Sequence, residues 1–290
     1  MGQTRRIRLA MQRQGRLTEG TTDLLRGVGL QFESYRQRLL TPCRNFPLDI
    51  LFGRDDDIPE YVADGTVDLG VVGRNMIVEK GADVEELLSL GFGYCTVVVA
   101  VPSESSVQSA EELAGCRVAT SYPRTARQYF EGLGVRVELV ELSGSVEVAP
   151  ALGIASAIVD ITATGSTLVL NDLRQISTVL ESEAVIVANR RTLRDPEIQQ
   201  GVERLMLRIR SALAAGRYKY IMMNAPASAM PQIRQITPGL KTPTVVPLAD
   251  PEWVAVHTVI AENEFWEVIE RLRAVGASEI LVLPVEKLLL

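Results

Sequence analysis

Glu147-Val-Ala-Pro-Ala-Leu-Gly-Ile-Ala-Ser-Ala-Ile-Val-Asp160-Ile-Thr-Ala-Thr-Gly165-Ser-Thr-Leu168 reads as an apolar strand that runs into a loop of small residues and then into a helix. The strand is Ala155 to Ile161, short and apolar apart from Ser156 near its start and one carboxylate near its end, as in a sheet buried on both faces. Strand, loop and helix in that order are the repeating unit of a parallel α/β sheet. The loop residues Thr162, Ala163, Thr164, Gly165, Ser166 and Thr167 are small enough for backbone N–H groups to converge, and such a nest binds a phosphate without a lysine. Asp160 suits ribose hydroxyls, because an anion accepts O–H hydrogen bonds and repels other anions. The same composition also suits a plain turn. A GxxxxGK[ST] phosphate loop is excluded by the missing lysine.

The theme recurs upstream. Arg6 to Met11 reads as a strand, Gln12 to Arg16 as a loop and Thr18 to Gly27 as a helix opened by a capping threonine. Val67 to Gly73 reads as a buried strand with an acidic residue inside it. Cys116 to Thr120, Ser121 to Thr125 and Ala126 to Leu133 repeat strand, loop and helix. Two apolar strands, Tyr94 to Val101 and Ala184 to Ala188, join the halves as a hinge. The expected fold class is therefore α/β: a two-lobed, periplasmic-binding-protein-like unit with its ligand in the cleft where carboxyl ends of strands from both lobes meet. From about Lys219 the order becomes strand, helix, strand, strand, helix, strand, a ferredoxin-like (ACT-like) βαββαβ domain. In its second helix, expected over Asn263 to Val275, Asn263 is the predicted cap and Gly276 the stop. The expected boundaries are residues 1–98 for the first lobe, completed by 183–217, 99–182 for the second, and 218–290 for the tail.

The chain has 290 residues, 47% of them hydrophobic, a net charge of −6 and three cysteines. That length suits about two or three domains of roughly 100 to 150 residues. No apolar run approaches the roughly 20 residues of a membrane span, and no secretory pattern opens the chain, so cytoplasm is the expected compartment. Cys43, Cys95 and Cys116 lack metal or disulfide spacing. The acidic balance argues against nucleic acid as a partner. Residues 1–60 nevertheless hold ten arginines, no lysine and eight acids, and an arginine fork matches phosphate groups.

Together the signature Glu147 to Leu168, Leu9-Ala-Met-Gln-Arg-Gln-Gly-Arg-Leu17, Arg54-Asp-Asp-Asp-Ile-Pro59, Asp68-Leu-Gly-Val-Val-Gly73, Ala119-Thr-Ser-Tyr-Pro123 and Lys219-Tyr-Ile-Met-Met223 closely resemble the ATP phosphoribosyltransferase family, in its long form. The resemblance spans essentially the whole chain. It implies transfer of the phosphoribosyl group of 5-phosphoribosyl 1-diphosphate to N1 of ATP, giving phosphoribosyl-ATP and diphosphate with Mg²⁺. This is the first step of histidine biosynthesis. It further implies inhibition by histidine bound at the tail, and a homohexamer in equilibrium with a dimer.

By the same resemblance Asp160 holds the ribose hydroxyls and residues 162–167 the 5-phosphate, with Glu147 supporting loop or ribose. Glu147 could equally be a helix-start acid beside Ser145, and Tyr122 a packed aromatic. Arg16 and Arg54 are the candidates for the diphosphate; Gly73, Asn75 and Tyr122 for the ATP pocket. No catalytic base is expected, because adenine N1 already carries its lone pair and the task is positioning and charge neutralisation. The single histidine, His257, falls on a tail strand and is expected to be structural or part of a sensor. Two residues depart from the family pattern: Arg13 stands where lysine is usual, and Arg74 where an acid is frequent. The alternatives are a two-lobed solute-binding protein and a ligand-sensing regulator; no helix-turn-helix or basic helix supports the latter.

Overall fold

The computed structural model describes residues 5–33, 38–237 and 239–289. The first half contains β1 (Ile7–Gln12), α1 (Thr18–Gly27), β2 (Leu40–Pro42), β3 (Leu48–Gly53), α2 (Ile58–Ala63), β4 (Leu69–Gly73), α3 (Arg74–Lys80) and β5 (Glu85–Ser89). Then follow β6 (Cys95–Pro102), β7 (Arg117–Thr120), α4 (Pro123–Gly132), β8 (Glu138–Glu141), β9 (Ala157–Thr162), α5 (Ser166–Leu170) and β10 (Leu173–Ser182). The chain returns through β11 (Ala184–Ala188) and α6 (Pro196–Ala215). It ends in β12 (Tyr218–Pro226), α7 (Met230–Ile236), β13 (Thr244–Pro247), β14 (Trp253–Ala261), α8 (Phe265–Ala274) and β15 (Ser278–Pro284). Among the described residues one compact unit runs to Val202 apart from Gly27–Gly29, and the second comprises those three residues with the chain from Glu203 onward.

The first unit holds two sheets, one per lobe. Lobe I has the order β2-β3-β1-β4-β11-β5, with β1 parallel to β3 and β4. Lobe II has the order β10-β6-β9-β7-β8, with β9 parallel to β7 and β7 to β8. Every residue of β4 and β11 is buried, as expected of strands covered on both faces. β10, an edge strand, is buried only at its ends, Leu173 and Ser182, with half-buried and exposed positions between, and carries two register shifts against β6. The two-lobed α/β plan is the one the sequence predicts.

The lobes are joined where β5 gives way to β6 and where β10 gives way to β11, and the two crossings lie side by side. Cys95 pairs with Ser182 in register, and just beyond them Leu90 N donates to Ala184 O at 2.9 Å while Ala184 N donates to Phe92 O at 2.9 Å. Gly93 must be glycine: its φ is +65°, and a Cβ there would run into the Leu17 side chain. Arg74 serves this hinge, with Nη2 bonded to Glu86 Oε1 at 2.6 Å and to Ser89 Oγ at 2.9 Å.

Three local expectations need correction. Thr18 is the first helical residue rather than a cap. Its hydroxyl donates to Gln12 O at 3.2 Å, and the preceding Leu17 amide is taken by Gln12 Oε1 at 2.9 Å. Asp68 precedes β4 instead of lying within it. It is 1% exposed and receives Arg5 Nη2 at 3.0 Å and the Arg8 amide at 2.8 Å, so it ties the strand's amino end, away from the cleft. In the tail a 3-10 turn over Glu262–Glu264 precedes α8 and puts Glu264 at the cap position, with no side-chain cap bond from Asn263.

The tail sheet has the order β13-β14-β12-β15 with all neighbours antiparallel, so β12 and β13 run parallel on either side of β14. This is the split arrangement of a ferredoxin-like βαββαβ domain. Ile221, Met223, Ile233, Val256 and Leu272 form the centre of its core. His257 lies on β14, where its Nδ1 pairs with Tyr220 Oη at 2.7 Å.

Candidate active site

In a parallel sheet the loops at the carboxyl ends of the strands form the binding crevice. Here those ends are Gln12, Gly53 and Gly73 in lobe I and Thr120 and Thr162 in lobe II. Glycine at the end of β4 is required by space, because a Cβ on Gly73 would collide with Asn75 Oδ1. Asn75, only 2% exposed, opens α3; its side-chain Nδ2 reaches Tyr122 Oη at 3.4 Å across the lobes. Tyr122, itself 8% exposed, is positioned by its amide donating to Thr120 Oγ1 at 2.8 Å. Both residues therefore form the floor of the cleft.

Asp160 sits near the end of β9, paired in register with Val98 of β6. Its Oδ1 accepts from Ser121 Oγ at 3.1 Å and from the Ile161 amide at 2.8 Å. Burial holds its proton affinity above the usual carboxylate range; the two hydrogen bonds counteract this, and the nearby charge of Glu147 adds to it. Glu147 lies in a 3-10 turn, Val146–Val148, within electrostatic range of Asp160, with no side-chain cap bond at that turn's start.

The loop after Asp160 is open. Ala163, Thr164, Ser166 and Thr167 are exposed, and Gly165 takes a left-handed φ of +77° at the start of α5. Part of its donor capacity is already in use. Gly165 N donates to Thr162 Oγ1 at 2.9 Å, and Ser166 N makes a long 3.5 Å approach to Thr164 Oγ1. Neither bond uses the amides of Ala163 or Thr164. Since α5 has only five residues, the loop's own N–H groups and hydroxyls, more than a helix dipole, are what it can offer an anion.

The two arginines nominated for diphosphate separate. Arg16 reaches the hinge, with Nη1 on the Gly93 carbonyl and Nη2 beside Gly73. Arg54 lines a cavity of about 910 Å³ built from lobe I alone, together with Arg13, Gln14 and the acids Asp55 to Asp57. Asp55 links these two regions. Its Oδ1 is buried without a hydrogen-bond partner, and burial raises its proton affinity against the opposing pull of Arg16. An unpaired buried carboxylate oxygen is costly, and a ligand donor is one way to satisfy it. Tyr122 is also pushed up, by burial first and then by the charges of Asp160, Cys95 and Asp55.

Sequence reasoning missed Asp55, Ser121, Ser182 and Cys95. Asp55 stands in a visible run of three acids, yet nothing in the run says which one turns inward. Ser182 ends β10, a strand absent from the sequence reading because its polar and apolar residues are mixed without a period of two. Among the described residues no cluster of three or more His, Cys, Asp or Glu could hold a metal ion.

The family model described as ATP phosphoribosyltransferase matches residues 54–211, and the one described as HisG, C-terminal domain, matches residues 215–287. An ATP phosphoribosyltransferase of Parabacteroides distasonis is 42% identical over 98% of this chain and 99% of its own. One of Maricaulis maris is 44% identical over 99% of both chains. Among solved structures, the ATP phosphoribosyl transferase (HisG:HisZ) complex from Thermotoga maritima superposes with a TM-score of 0.62 at 27% identity, over 70% of this chain and 96% of that chain.

Proposed function

This chain belongs to the ATP phosphoribosyltransferase family, a transferase family of histidine biosynthesis, and from that premise we propose how its residues carry out the transfer. The observation that carries the reading is Asp160: a half-buried carboxylate whose Oδ1 is held by Ser121 and the Ile161 amide, one turn of chain ahead of an open small-residue loop. Its second oxygen accepts from the ribose diol, and residues 162–167 receive the 5-phosphate through the Ala163 and Thr164 amides and the Thr and Ser hydroxyls. Glu147 supports the loop or the ribose as a hydrogen-bond acceptor, since its charge repels that of Asp160. ATP enters from the lobe I side, with Gly73 giving close backbone approach and Asn75 holding Tyr122 against the base.

The leaving diphosphate needs positive charge. Arg16 and Arg54 supply it from two directions, and the 910 Å³ lobe I cavity has room for phosphate groups. With no three-ligand protein cluster among the described residues, Mg²⁺ fits as an ion carried on substrate phosphates with at most one or two carboxylates. Bound in that way, it would neutralise part of the departing charge. No side chain is assigned as a general base. The work is in-line positioning of adenine N1 against the anomeric carbon and stabilisation of developing charge.

The division into lobe I (1–98 with 183–217), lobe II (99–182) and a regulatory tail (218–290) belongs to this proposal. So do inhibition by histidine acting through the tail, a homohexamer in equilibrium with a dimer, and a cytoplasmic location. Purified protein given ATP, 5-phosphoribosyl 1-diphosphate and Mg²⁺ should release diphosphate, and Asp160→Ala should lose most of that rate. Binding of phosphoribosyl diphosphate without any diphosphate release would favour a solute-binding protein instead.

A further inference from the structure

The amino terminus of α4 has no cap of its own. Its cap position is Tyr122, whose side chain makes no capping bond, and its first residue, Pro123, has no N–H. The next two amides, Arg124 and Thr125, are the donors that a capping side chain ordinarily satisfies. Here both are satisfied from the other lobe. Glu79, in the last turn of α3, accepts from Arg124 N at 3.0 Å through Oε1 and from Thr125 N at 2.9 Å through Oε2, and Thr125 Oγ1 donates to Oε2 at 2.7 Å. The exchange is reciprocal. Arg124 lays its guanidinium over Gly81, the left-handed residue that ends α3, so closely that any Cβ at Gly81 would collide with it. An anion thus sits on the positive end of a lobe II helix and a cation on the negative end of a lobe I helix, both favourable to the helix dipoles.

We infer that Glu79 is a positioning residue, a clasp that sets the separation of the two lobes and so places Tyr122 of lobe II against Asn75 of lobe I. The connection is direct along the chain: α3 begins beside Gly73 and Asn75, and α4 begins beside Tyr122. The hinge crossings fix the lobes along one line only, and a second attachment away from that line is what fixes the angle between them. The clasp's link to ATP rests on the assignment of the cleft proposed above. A ligand that touches both lobes binds only the fraction of molecules already at the right aperture, so its apparent affinity falls with that fraction. A ligand held by lobe II alone does not depend on it.

The test uses Glu79→Ala, with Thr125→Val as a near-isosteric second variant that removes only the hydroxyl contact. Hydrogen exchange of the Arg124 and Thr125 amides should quicken in the free Glu79→Ala protein. KM for ATP should rise by about five-fold or more, while the Kd of ribose 5-phosphate, which lacks the diphosphate and is held by residues 160–167 alone, stays within about two-fold. Glu79→Gln, which keeps one acceptor oxygen, should fall between Ala and wild type. A purely structural Glu79 would lower the thermal midpoint and leave the ratio of the ATP KM to the ribose 5-phosphate Kd unchanged; that result, or unchanged exchange at both amides, would overturn the clasp. Faster exchange in a protein without transferase activity would support the clasp and strike only the assignment of the cleft.

Discussion

Ser182 and Asn75, 107 residues apart, hold each other through two hydrogen bonds: Asn75 N donates to Ser182 Oγ at 2.9 Å, and Ser182 Oγ donates to Asn75 Oδ1 at 2.8 Å. Ser182 is the last residue of β10 and Asn75 lies in the first turn of α3, so the pair ties the return crossing of lobe II to the floor of the cleft. Both residues are buried, at 4% and 2% exposure.

Removing either partner strands a buried polar group on the other. Asn75→Ala and Ser182→Ala should each cost about 1–3 kcal/mol of unfolding free energy. The double variant should cost less than the two together, with a coupling of about 0.5–3 kcal/mol in a denaturation cycle. Strict additivity would mean that the pair is incidental.

Asp160 should make stability and activity respond to pH in opposite senses. Its raised proton affinity means the folded chain binds that proton more tightly than the unfolded chain does. Its contribution to stability is therefore full below the ordinary carboxylate range and is lost as pH rises through the raised value. Asp160→Asn should melt higher than wild type at neutral pH, and the gap should close on acidification. Ribose binding needs the ionised form, so KM for phosphoribosyl diphosphate in wild type should climb as pH falls, beginning above the ordinary carboxylate range. A melting difference that is constant with pH would contradict this account.

Asp68, the acidic residue expected inside the Val67 to Gly73 strand, serves the fold at that strand's amino end. Asp68→Ala strands the Arg8 amide and leaves Arg5 with Asp195 alone, and should cost about 1–3 kcal/mol of stability. Both KM values should stay unchanged, because Asp68 lies at the amino end of β4. Loss of substrate affinity at full folding would reassign it to the site.

Gly165 takes φ +77° where a Cβ would meet open space, so the cost of Gly165→Ala is conformational rather than steric. A left-handed non-glycine residue costs about 1–2 kcal/mol. If the loop holds the 5-phosphate, that strain should appear as a higher KM for phosphoribosyl diphosphate with KM for ATP unchanged. An equal rise in both would place the phosphate elsewhere.

How much of this was legible beforehand follows from the range of each interaction. Strand β11 was readable to the residue, because Ala-Val-Ile-Val-Ala is a continuous apolar run and full burial on both faces demands one. Helix α1 was equally plain, although its entry is stabilised by Gln12 rather than by Thr18. The Asp160 loop announced itself by small residues behind a buried strand. By contrast, β10 escaped notice because an edge strand mixes polar and apolar residues, and Asp55 because three adjacent acids look alike until the β3–α2 turn orients one of them inward.

Apolar periodicity, turn chemistry and an ordered set of motifs therefore determined the α/β class, the two lobes with their appended βαββαβ domain, and the family, since each depends on residues close together in the chain. Only the tertiary structure decided that Glu79 caps a helix of the opposite lobe, that Ser182 holds Asn75, and that Arg16 turns to Gly93 while Arg54 faces a separate cavity. Such partners are chosen by sheet register and by the angle at the hinge, which sum over long-range packing contacts and leave no local pattern to read.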